Sequence, residues 1–331
     1  MNHASSILVT GGAGFIGSHS CKALKMAGYL PVVFDNLSTG HAEAVRFGPF
    51  VRGDIRDCDA VVAAISKHKI TAILHFAASA YVGESVQQPN AYYDNNVGGM
   101  ISLLKAASAT DIKRIVFSSS CATYGVPETV PSVETTPQVP INPYGRTKLI
   151  GEQMLEDLAR VSDLTFACLR YFNAAGADPE GQLGEQHDPE THLVPLALMA
   201  ASGQREVLSI FGDDYPTPDG TCIRDHIHVA DLARAHVLAL QHLMQGKPSI
   251  KLNLGSGRGH SILEIVRAIE AKTGRKLPIR IEPRRAGDPP SLTADPSRAA
   301  EVLGFRAELS SLERIIEDAA PWFGLKCNVA A

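Results

Sequence analysis

The sequence predicts an α/β fold in which a doubly wound parallel sheet carries helices on both faces. Short apolar, β-branched runs alternate with helical patterns along the first half of the chain, and the first run meets a glycine-rich turn. After Asn173 the texture changes, because Gly, Pro and acidic residues dominate as far as His192. We therefore expect a first domain over residues 1–175, rejoined by about 225–260, and a smaller second region over 176–331.

The totals exclude several classes of protein. The 331 residues include 31 Lys and Arg against 35 Asp and Glu, which gives a net charge of −4. No basic block stands out, which argues against a nucleic-acid or membrane-surface binder. The N-terminal residues predict no signal peptide, and no stretch reaches the roughly 18 apolar residues of a transmembrane helix. Six cysteines without a C-x-x-C pair indicate reduced thiols in a cytoplasmic protein.

The first strand and turn predict a dinucleotide site. Ser6–Thr10 is typical of a buried parallel strand, and Gly11–Gly17 follows it before a helix predicted over Ser18–Ala27. The glycines allow a pyrophosphate to approach the backbone, and the helix N-terminus offers free N–H groups to it. A second strand over Leu30–Phe34 ends at Asp35, about 18 residues beyond the turn. That carboxylate favours NAD over NADP, with a capping or turn role as the alternative.

The alternation continues through the rest of the sheet. Small residues 77–80 follow one strand and the serines 118–120 follow another, at the edge where open α/β sheets bind ligands. A long helix over 89–110 has one apolar face, which indicates core packing or a subunit interface, and Asn95 and Asn96 within it indicate a ligand or network role. Further strands are predicted at 50–52, 72–76, 112–117, 165–170 and 251–254, and further helices at 59–69, 144–160, 194–202, 262–272 and 309–323.

Tyr144 and Lys148 lie one helical turn apart in the helix predicted after the proline-rich loop 127–143. An adjacent ammonium can lower the pKa of tyrosine from roughly 10 by about 1–3 units. The pair is therefore a candidate base for removing a proton from an alcohol. The spacing alone is also typical of an ordinary surface helix.

The histidines do not predict a metal site. His187 and His192 flank Asp188 and Glu190, and a second histidine pair lies at 226 and 228. No ligand set has a recognised zinc spacing, so structural or substrate-side roles are favoured and no metal is predicted.

Ten motifs carry a resemblance to a known family. From Leu8 to about Trp322 the chain resembles the extended short-chain dehydrogenases/reductases, and closely the UDP-glucose 4-epimerases. The forms of residues 121–124 and 140–143 resemble the branch used in bacterial exopolysaccharide synthesis. The matching segments are residues 10–17, 35–40, 53–56, 82–86, 93–97, 117–120, 143–148, 169–174, 219–225 and 284–288.

The resemblance implies a Rossmann-like domain with tightly bound NAD and a second region that mainly binds a UDP-sugar. Tyr144 would be the acid/base, Lys148 would bind the nicotinamide ribose, and Ser120 would hydrogen-bond the reacting hydroxyl. The implied NAD contacts are Gly11, Gly14, Phe15, Ile16, Gly17, Asp35, Asn36, Leu37, Ser38, Thr39, Gly40, Asp54, Ile55, Phe76, Ala77, Ala78, Ala80, Asn95, Tyr144, Lys148 and Phe172. The implied substrate contacts are Ser120, Tyr144, Asn173, Leu193, Phe211, Arg224, Arg285 and Asp288.

The implied reaction is epimerisation at C4 of UDP-glucose or UDP-galactose through a 4-keto sugar, in galactose metabolism, by a homodimer that pairs helices 89–110 and 144–160. UDP-pentoses (xylose, arabinose) and N-acetylhexosamines are the alternative substrates. A sugar-nucleotide dehydratase or a non-catalytic NAD-binding sensor is the alternative function. Three residues depart from the family pattern: His226 replaces a tyrosine, Ala80 replaces a lysine of some members, and Leu292 lies where members carry tyrosine or cysteine beside the sugar.

Overall fold

The structure is a computed structural model that describes residues 4–285 and 288–328. Ala286 and Gly287, part of one predicted motif, lie outside the described residues, as do the first three residues of the N-terminus. Thirteen strands lie within the described ranges: β1 Ser6–Thr10, β2 Leu30–Asp35, β3 Phe50–Arg52, β4 Ile70–His75, β5 Arg114–Ser120, β6 Thr165–Tyr171, β7 Asn173–Ala175, β8 Leu208–Phe211, β9 Ile223–His228, β10 Ile250–Leu254, β11 Gly259–Ser261, β12 Ile279–Glu282 and β13 Ser291–Leu292.

Eleven α-helices connect these strands within the described part of the chain. They are α1 Phe15–Met26, α2 Cys58–His68, α3 Val82–Gln87, α4 Pro89–Tyr92, α5 Gly99–Ala109, α6 Pro143–Arg160, α7 Leu193–Ser202, α8 Val229–Met244, α9 Ile262–Thr273, α10 Ser297–Leu303 and α11 Leu312–Ala319. Single 3₁₀ turns cover Ala42–Ala44, Cys121–Thr123 and Ala320–Phe323, and a π-helical segment, Tyr93–Gly98, joins α4 to α5. None of the helices in 4–285 and 288–328 is long and apolar enough to cross a bilayer.

Seven parallel strands form the central sheet, in the order β10-β6-β5-β4-β1-β2-β3. Successive residues of β1 face opposite sides, so that Ile7 and Val9 pack towards α1 and α8 while Leu8 packs towards α2 and α5. Both faces of the sheet are covered, as its uniformly apolar strands require. The predicted Rossmann-like, doubly wound parallel sheet is confirmed.

Several predicted boundaries were wrong for local reasons. Helix α1 begins at Phe15 and not at Ser18, because the extended backbone of Gly14 caps it directly after the turn. Strand β5 continues to Ser120, because its pairing with β6 extends to the end of the serine run. The last helix begins at Leu312, because the Ser311 hydroxyl accepts a hydrogen bond from a backbone N–H in its first turn. Helix α8 was not predicted.

The predicted helix over 89–110 is helical throughout but widens in the π-helical segment. The Asn96 side chain explains the wide turn, because it donates to the Thr147 hydroxyl at 3.0 Å and accepts from the backbone N–H of Ser79 at 2.8 Å. The predicted apolar face is split, since Leu104 is buried whereas Ile101 is 42% exposed.

The second region is built from two small sheets and a separate core. Strands β11, β9, β13 and β7 form one sheet, and β12 pairs with β8 in the other. Helices α7, α9 and α11 supply the apolar side chains of this core. Strand β10 pairs with β6, so the chain returns to the central sheet after the second region has begun. The division into domains at residue 175 stays a prediction.

Candidate active site

The turn after β1 forms a cradle in which Gly11 and Gly17 leave no room for a side chain. Gly11 has φ +71°, and a Cβ there would lie 2.6 Å from the backbone nitrogen of Ala77. A Cβ on Gly17 would lie 2.1 Å from the Gly11 carbonyl oxygen. Gly14 caps α1 without a side chain, which leaves the first N–H groups of the helix, at Phe15 and Ile16, open to a ligand. These features fit the pyrophosphate of a dinucleotide.

Asp35 lies at the carboxyl end of β2 with its carboxylate held in place. Its two oxygens accept hydrogen bonds from the backbone N–H groups of Ala13 at 3.0 Å and Leu37 at 2.8 Å. Each oxygen keeps a lone pair, so the group fits a ribose diol. The loop from Asn36 through Leu37, Ser38 and Thr39 to Gly40 follows directly, and Leu37 has φ +61°.

Asp54 and Ile55 follow β3 beside this loop. Hydrogen bonds from Arg56 hold the pKa of the Asp54 carboxyl well below its usual range. Asn36 also donates to this carboxylate, at 3.3 Å. Ile55 is buried against Gly99, at the start of α5. The NAD contacts implied for both residues stay predictions.

The loop after β4 and the helix above it form the far wall of the cleft. The Phe76 ring lies 4.7 Å from that of His236 on α8. Asn95, in the π-helical segment, donates to the Ser79 hydroxyl at 3.2 Å, which ties the helix to the loop that contains Ala77, Ala78 and Ala80. Phe172 follows β6 and packs with Tyr124 and Cys121. The predicted NAD contacts therefore lie at the carboxyl ends of neighbouring parallel strands.

Ser120, Tyr144 and Lys148 meet where β5 ends and α6 begins. The Asn142 side chain caps α6 by accepting from the N–H of Gly145 at 2.8 Å. A Cβ on Gly145 would lie 2.3 Å from the carbonyl oxygen of Ala122, so glycine allows α6 to pack against the turn that follows Ser120. Lys148 Nζ donates to the Ser118 carbonyl at 2.8 Å and lies 5.8 Å from the centroid of the Tyr144 ring.

Burial controls the protonation of the Tyr144–Lys148 pair. It raises the pKa of Tyr144 above its ordinary value, although the Ser120 hydroxyl opposes the rise by hydrogen bonding. It also lowers the pKa of Lys148 to about 7. The predicted lowering of the tyrosine pKa by the adjacent ammonium was therefore wrong for the protein groups alone. Desolvation penalises the phenolate and the ammonium together.

A buried ion pair supports the serine run from behind. Arg170 donates to Glu152 through Nε at 2.9 Å and Nη2 at 2.6 Å, and to the Tyr124 hydroxyl at 2.9 Å. Glu152 also accepts from the Ser119 hydroxyl at 2.5 Å. We shall call Arg170, Glu152, Tyr124 and Ser119 the α6–β6 network. The sequence does not predict this network, because its only signal is a charged residue at the end of an apolar strand.

The predicted substrate contacts lie in the second region, mostly in pairs. Arg224 donates to Asp288 at 3.0 Å, and the Arg285 guanidinium lies 3.8 Å above the centroid of the Phe211 ring. The Asn173 amide donates to the carbonyl oxygen of residue 225 at 2.7 Å. Leu193 is the first residue of α7.

Leu292 and His226 occupy different environments. Leu292 pairs with Arg224 in neighbouring strands and packs against the cluster formed by Cys121, Tyr124, Phe172 and Ala294, next to the end of β5. This contact joins the second region to the serine run. His226 is 4% exposed, and burial lowers its pKa to about 4. It is therefore a neutral interior side chain.

Four donor side chains converge in the loop before α7: Glu185, His187, Glu190 and His192. One donor atom from each lies within 4.8 Å of all the others. The two histidines, Asp188 and Glu190 stand out in the sequence, but Glu185 does not, because the spacing of the four donors matches no recognised motif. Burial lowers the pKa of His192, but the two glutamates outweigh it and raise the pKa to about 10.

Comparisons with known proteins agree with this geometry. Residues 7–255 match the NAD dependent epimerase/dehydratase family. A UDP-glucose 4-epimerase of Rhizobium leguminosarum bv. trifolii is 53% identical over 317 residues, which cover 96% of this chain and 97% of that protein. The crystal structure of a UDP-glucose 4-epimerase from Brucella ovis in complex with NAD superposes with a TM-score of 0.96 at 59% identity, covering 98% of this chain and all of that one.

Another solved relative contains a UDP-pentose derivative. A UDP-glucose 4-epimerase from Stenotrophomonas maltophila, solved with bound NAD and formylated UDP-arabinopyranose, has a TM-score of 0.94 at 44% identity. The alignment covers 97% of this chain and 98% of that one.

Proposed function

The chain belongs to the NAD-dependent epimerase/dehydratase family, and we propose that Tyr144, Lys148 and Ser120 form its catalytic group. The protein is an isomerase that epimerises a UDP-hexose at C4 with NAD as its cofactor. The observation that supports the catalytic assignment is the convergence of the three side chains where β5 ends and α6 begins, two strands along the sheet from the glycine cradle. The remaining cofactor and substrate contacts listed above are proposed with them.

The residues divide the chemistry between them. When bound, NAD supplies the hydride acceptor and a positively charged nicotinamide ring. Tyr144 takes the proton of the sugar's 4-hydroxyl as C4 is oxidised, and returns a proton when the 4-keto sugar is reduced on its other face. Ser120 holds the reacting oxygen by a hydrogen bond. Lys148, fixed by the Ser118 carbonyl, places its amino group beside the tyrosine, and its protonated form opposes the burial that disfavours the phenolate.

Rotation of the keto sugar requires that binding energy is concentrated on the UDP group, away from the reacting carbon. Arg224 and Arg285 suit this role, because guanidinium groups form paired, charge-assisted hydrogen bonds with phosphate oxygens. Both arginines are already oriented, one by Asp288 and the other by the Phe211 ring. We propose that Asn173, Leu193 and these four residues hold the UDP group.

UDP-glucose and UDP-galactose are the proposed substrates, with UDP-xylose and UDP-arabinose next and N-acetylhexosamines third. Leu292 is intermediate in size between the tyrosine and the cysteine of other members, and it packs beside the end of β5, where it can limit the sugar. The arabinopyranose ligand of the Stenotrophomonas relative supports the pentoses as the second choice.

A homodimer, a role in exopolysaccharide or galactose metabolism and a cytoplasmic location are also proposed. The 42% exposure of Ile101, on a helix that is otherwise mostly buried, supports pairing through α5 and α6. The six free cysteines support a reducing compartment. Sedimentation as a monomer at micromolar concentration would contradict the dimer.

Separation of the products formed from UDP-galactose tests the function. The enzyme, assayed as purified and without added NAD, should form UDP-glucose, because a reaction with no net redox change has no need to release its cofactor. A stable 4-keto-6-deoxy sugar would indicate a dehydratase instead. The turn after Ser120 carries no acidic residue to eliminate water, which disfavours that outcome. No product, even after NAD is added, would indicate a non-catalytic sensor.

A further inference from the structure

The loop before α7 holds two histidines and two glutamates whose donor atoms form a compact set. His192 Nδ1 lies 2.9 Å from Glu190 Oε1 and 3.1 Å from Glu185 Oε1. His187 Nδ1 lies 3.4 Å from Glu185 Oε1 and 3.4 Å from Glu190 Oε2. Two imidazoles and two carboxylates are thus arranged around one point, with each imidazole facing both carboxylates.

These separations are close to the edges of a small tetrahedron in which Glu190 contributes one of its two oxygens. Zinc binds imidazole nitrogen and carboxylate oxygen at about 2.0–2.2 Å, so a tetrahedral site has ligand-to-ligand distances of about 3.3–3.5 Å. The two separations from His187, at 3.4 Å, lie within that range, whereas the two from His192, at 2.9 and 3.1 Å, are shorter and would lengthen slightly around an ion. The larger Ca²⁺ takes six to eight oxygen ligands and fits this nitrogen-rich set poorly.

Glu185 indicates independently that the set has room for a ligand. Its side chain is 4% exposed, and Oε1 accepts no hydrogen bond of good geometry from the described residues, although the two histidine nitrogens lie nearby. A buried carboxylate oxygen without such a partner is costly. Glu190, by contrast, is oriented by the backbone N–H groups of Thr191 at 2.7 Å and His192 at 2.8 Å, as carboxylate ligands of metals commonly are.

The position of the set gives a bound ion a structural consequence. The His187 ring meets that of Phe15, in the first turn of α1, edge to face at 6.2 Å, and the Tyr81 ring at 6.1 Å. His192 immediately precedes Leu193, the first residue of α7. An ion held here would fasten the loop between the cofactor cleft and the helix assigned to the substrate.

We propose that Glu185, His187, Glu190 and His192 bind one divalent transition-metal ion in tetrahedral geometry, with zinc as the best-fitting ion. The ion has a structural role, because four protein ligands leave no open position for a substrate or a water molecule. It is separate from the catalytic group at Tyr144, so the epimerase reaction does not depend on the proposal.

Titration of the full-length, NAD-loaded enzyme with metal tests the site. After treatment with a chelator and its removal, Co²⁺ should bind at one equivalent per chain and give the intense visible bands of a four-coordinate ion. Zn²⁺ should then abolish those bands and raise Tm. The absence of cobalt bands, together with the absence of binding heat for zinc, would overturn the proposal and leave the set as imidazolium–carboxylate ion pairs.

Variants locate the bound metal. Glu185→Gln and His187→Gln keep the size of the side chain, and each should weaken zinc binding at least about tenfold, because each removes a ligand. The double variant Cys58→Ser/Cys327→Ser removes the two partly exposed thiols and should bind zinc like the wild type. Unchanged affinity in both ligand variants, or loss of binding in the thiol variant, would refute the site. Circular dichroism and the content of bound NAD show which variants are folded.

Discussion

An arginine of the central sheet and an arginine of the second region lie in opposite environments. In the sheet, Arg170 is 1% exposed and its guanidinium donates to Glu152, to the Tyr124 hydroxyl and to a backbone carbonyl. In the second region, Arg285 is exposed and lies on the Phe211 ring. Protein groups use four of the five N–H donors of the first arginine, whereas no residue that the structure describes accepts a hydrogen bond from the guanidinium of the second, which can therefore bind a ligand.

This contrast predicts which property changes when each arginine is replaced. A fully buried charge whose partners are all protein groups holds the fold, and its loss should appear in the free energy of unfolding. A charge that keeps free donors holds the ligand, and its loss should appear in KM. Substitutions of both kinds of residue test this distinction between stabilising the fold and binding the ligand.

Removal of Arg170 should cause the largest loss of stability. Arg170→Met leaves the fully buried Glu152 without its main counter-charge, with Lys251 4.0 Å away, and should lower the free energy of unfolding by about 3–5 kcal/mol. Denaturant unfolding measures the change. The double variant Glu152→Met/Arg170→Met should recover much of the loss, because no buried charge is left unpaired. A single variant as stable as the wild type would contradict the stabilising role of the buried Arg170–Glu152 pair.

Lys148 should make stability depend on pH. Burial lowers its pKa to about 7, whereas the unfolded chain keeps a value of about 10.4. The unfolded state therefore binds more protons between these values, so the contribution of this group to stability rises with pH from about 7 to 10. Relative to Lys148→Met, the wild type should gain about 1–3 kcal/mol in the free energy of unfolding between pH 7 and pH 9.5.

Equal pH dependence in the wild type and Lys148→Met would contradict the buried, weakly basic amine. Denaturant unfolding at the two pH values, with both proteins equally loaded with NAD, provides the measurement.

Neighbouring arginines of the second region should differ in their effect on KM. Arg285→Ala should raise KM for UDP-galactose about tenfold or more, because a charge-assisted hydrogen bond contributes about 1.5–3 kcal/mol. Arg284→Ala is the matched control, since the Arg284 guanidinium stacks on Tyr215 and pairs with Asp214. Its KM should stay within about twofold of the wild type.

Steady-state kinetics with the NAD content measured in parallel would separate the two arginines. Equal increases of KM in both variants would contradict a ligand-binding role that is specific to Arg285.

Most of the central sheet was predictable from the sequence because its signals are local. The run Ser6–Thr10, the glycine turn and the carboxylate at Asp35 each follow from a short stretch of the chain. The boundary errors at Ser18 and Ser120 have local causes. The Gly14 cap starts α1 before its helical pattern begins, and pairing with β6 continues β5 beyond its apolar run.

The second region was less predictable because distant residues define it. Arg224 meets Asp288, and β9 lies between strands from three other parts of the chain. The pair formed by Glu152 and Arg170 likewise joins a helix to a strand, and neither residue carries a local signal of the other. The resemblance to a known family supplied the substrate contacts that composition and spacing could not.

Turnover of Tyr144→Phe with UDP-galactose tests directly whether Tyr144 is the acid/base group. The variant removes only the hydroxyl, so it should bind NAD and UDP as the wild type does, whereas kcat should fall by about 10²–10⁴ because the acid/base group is lost. Separation of the products after a fixed time, with bound NAD measured on the same sample, provides the comparison. A variant that retains its NAD and turns over at nearly the wild-type rate would contradict the assignment of Tyr144.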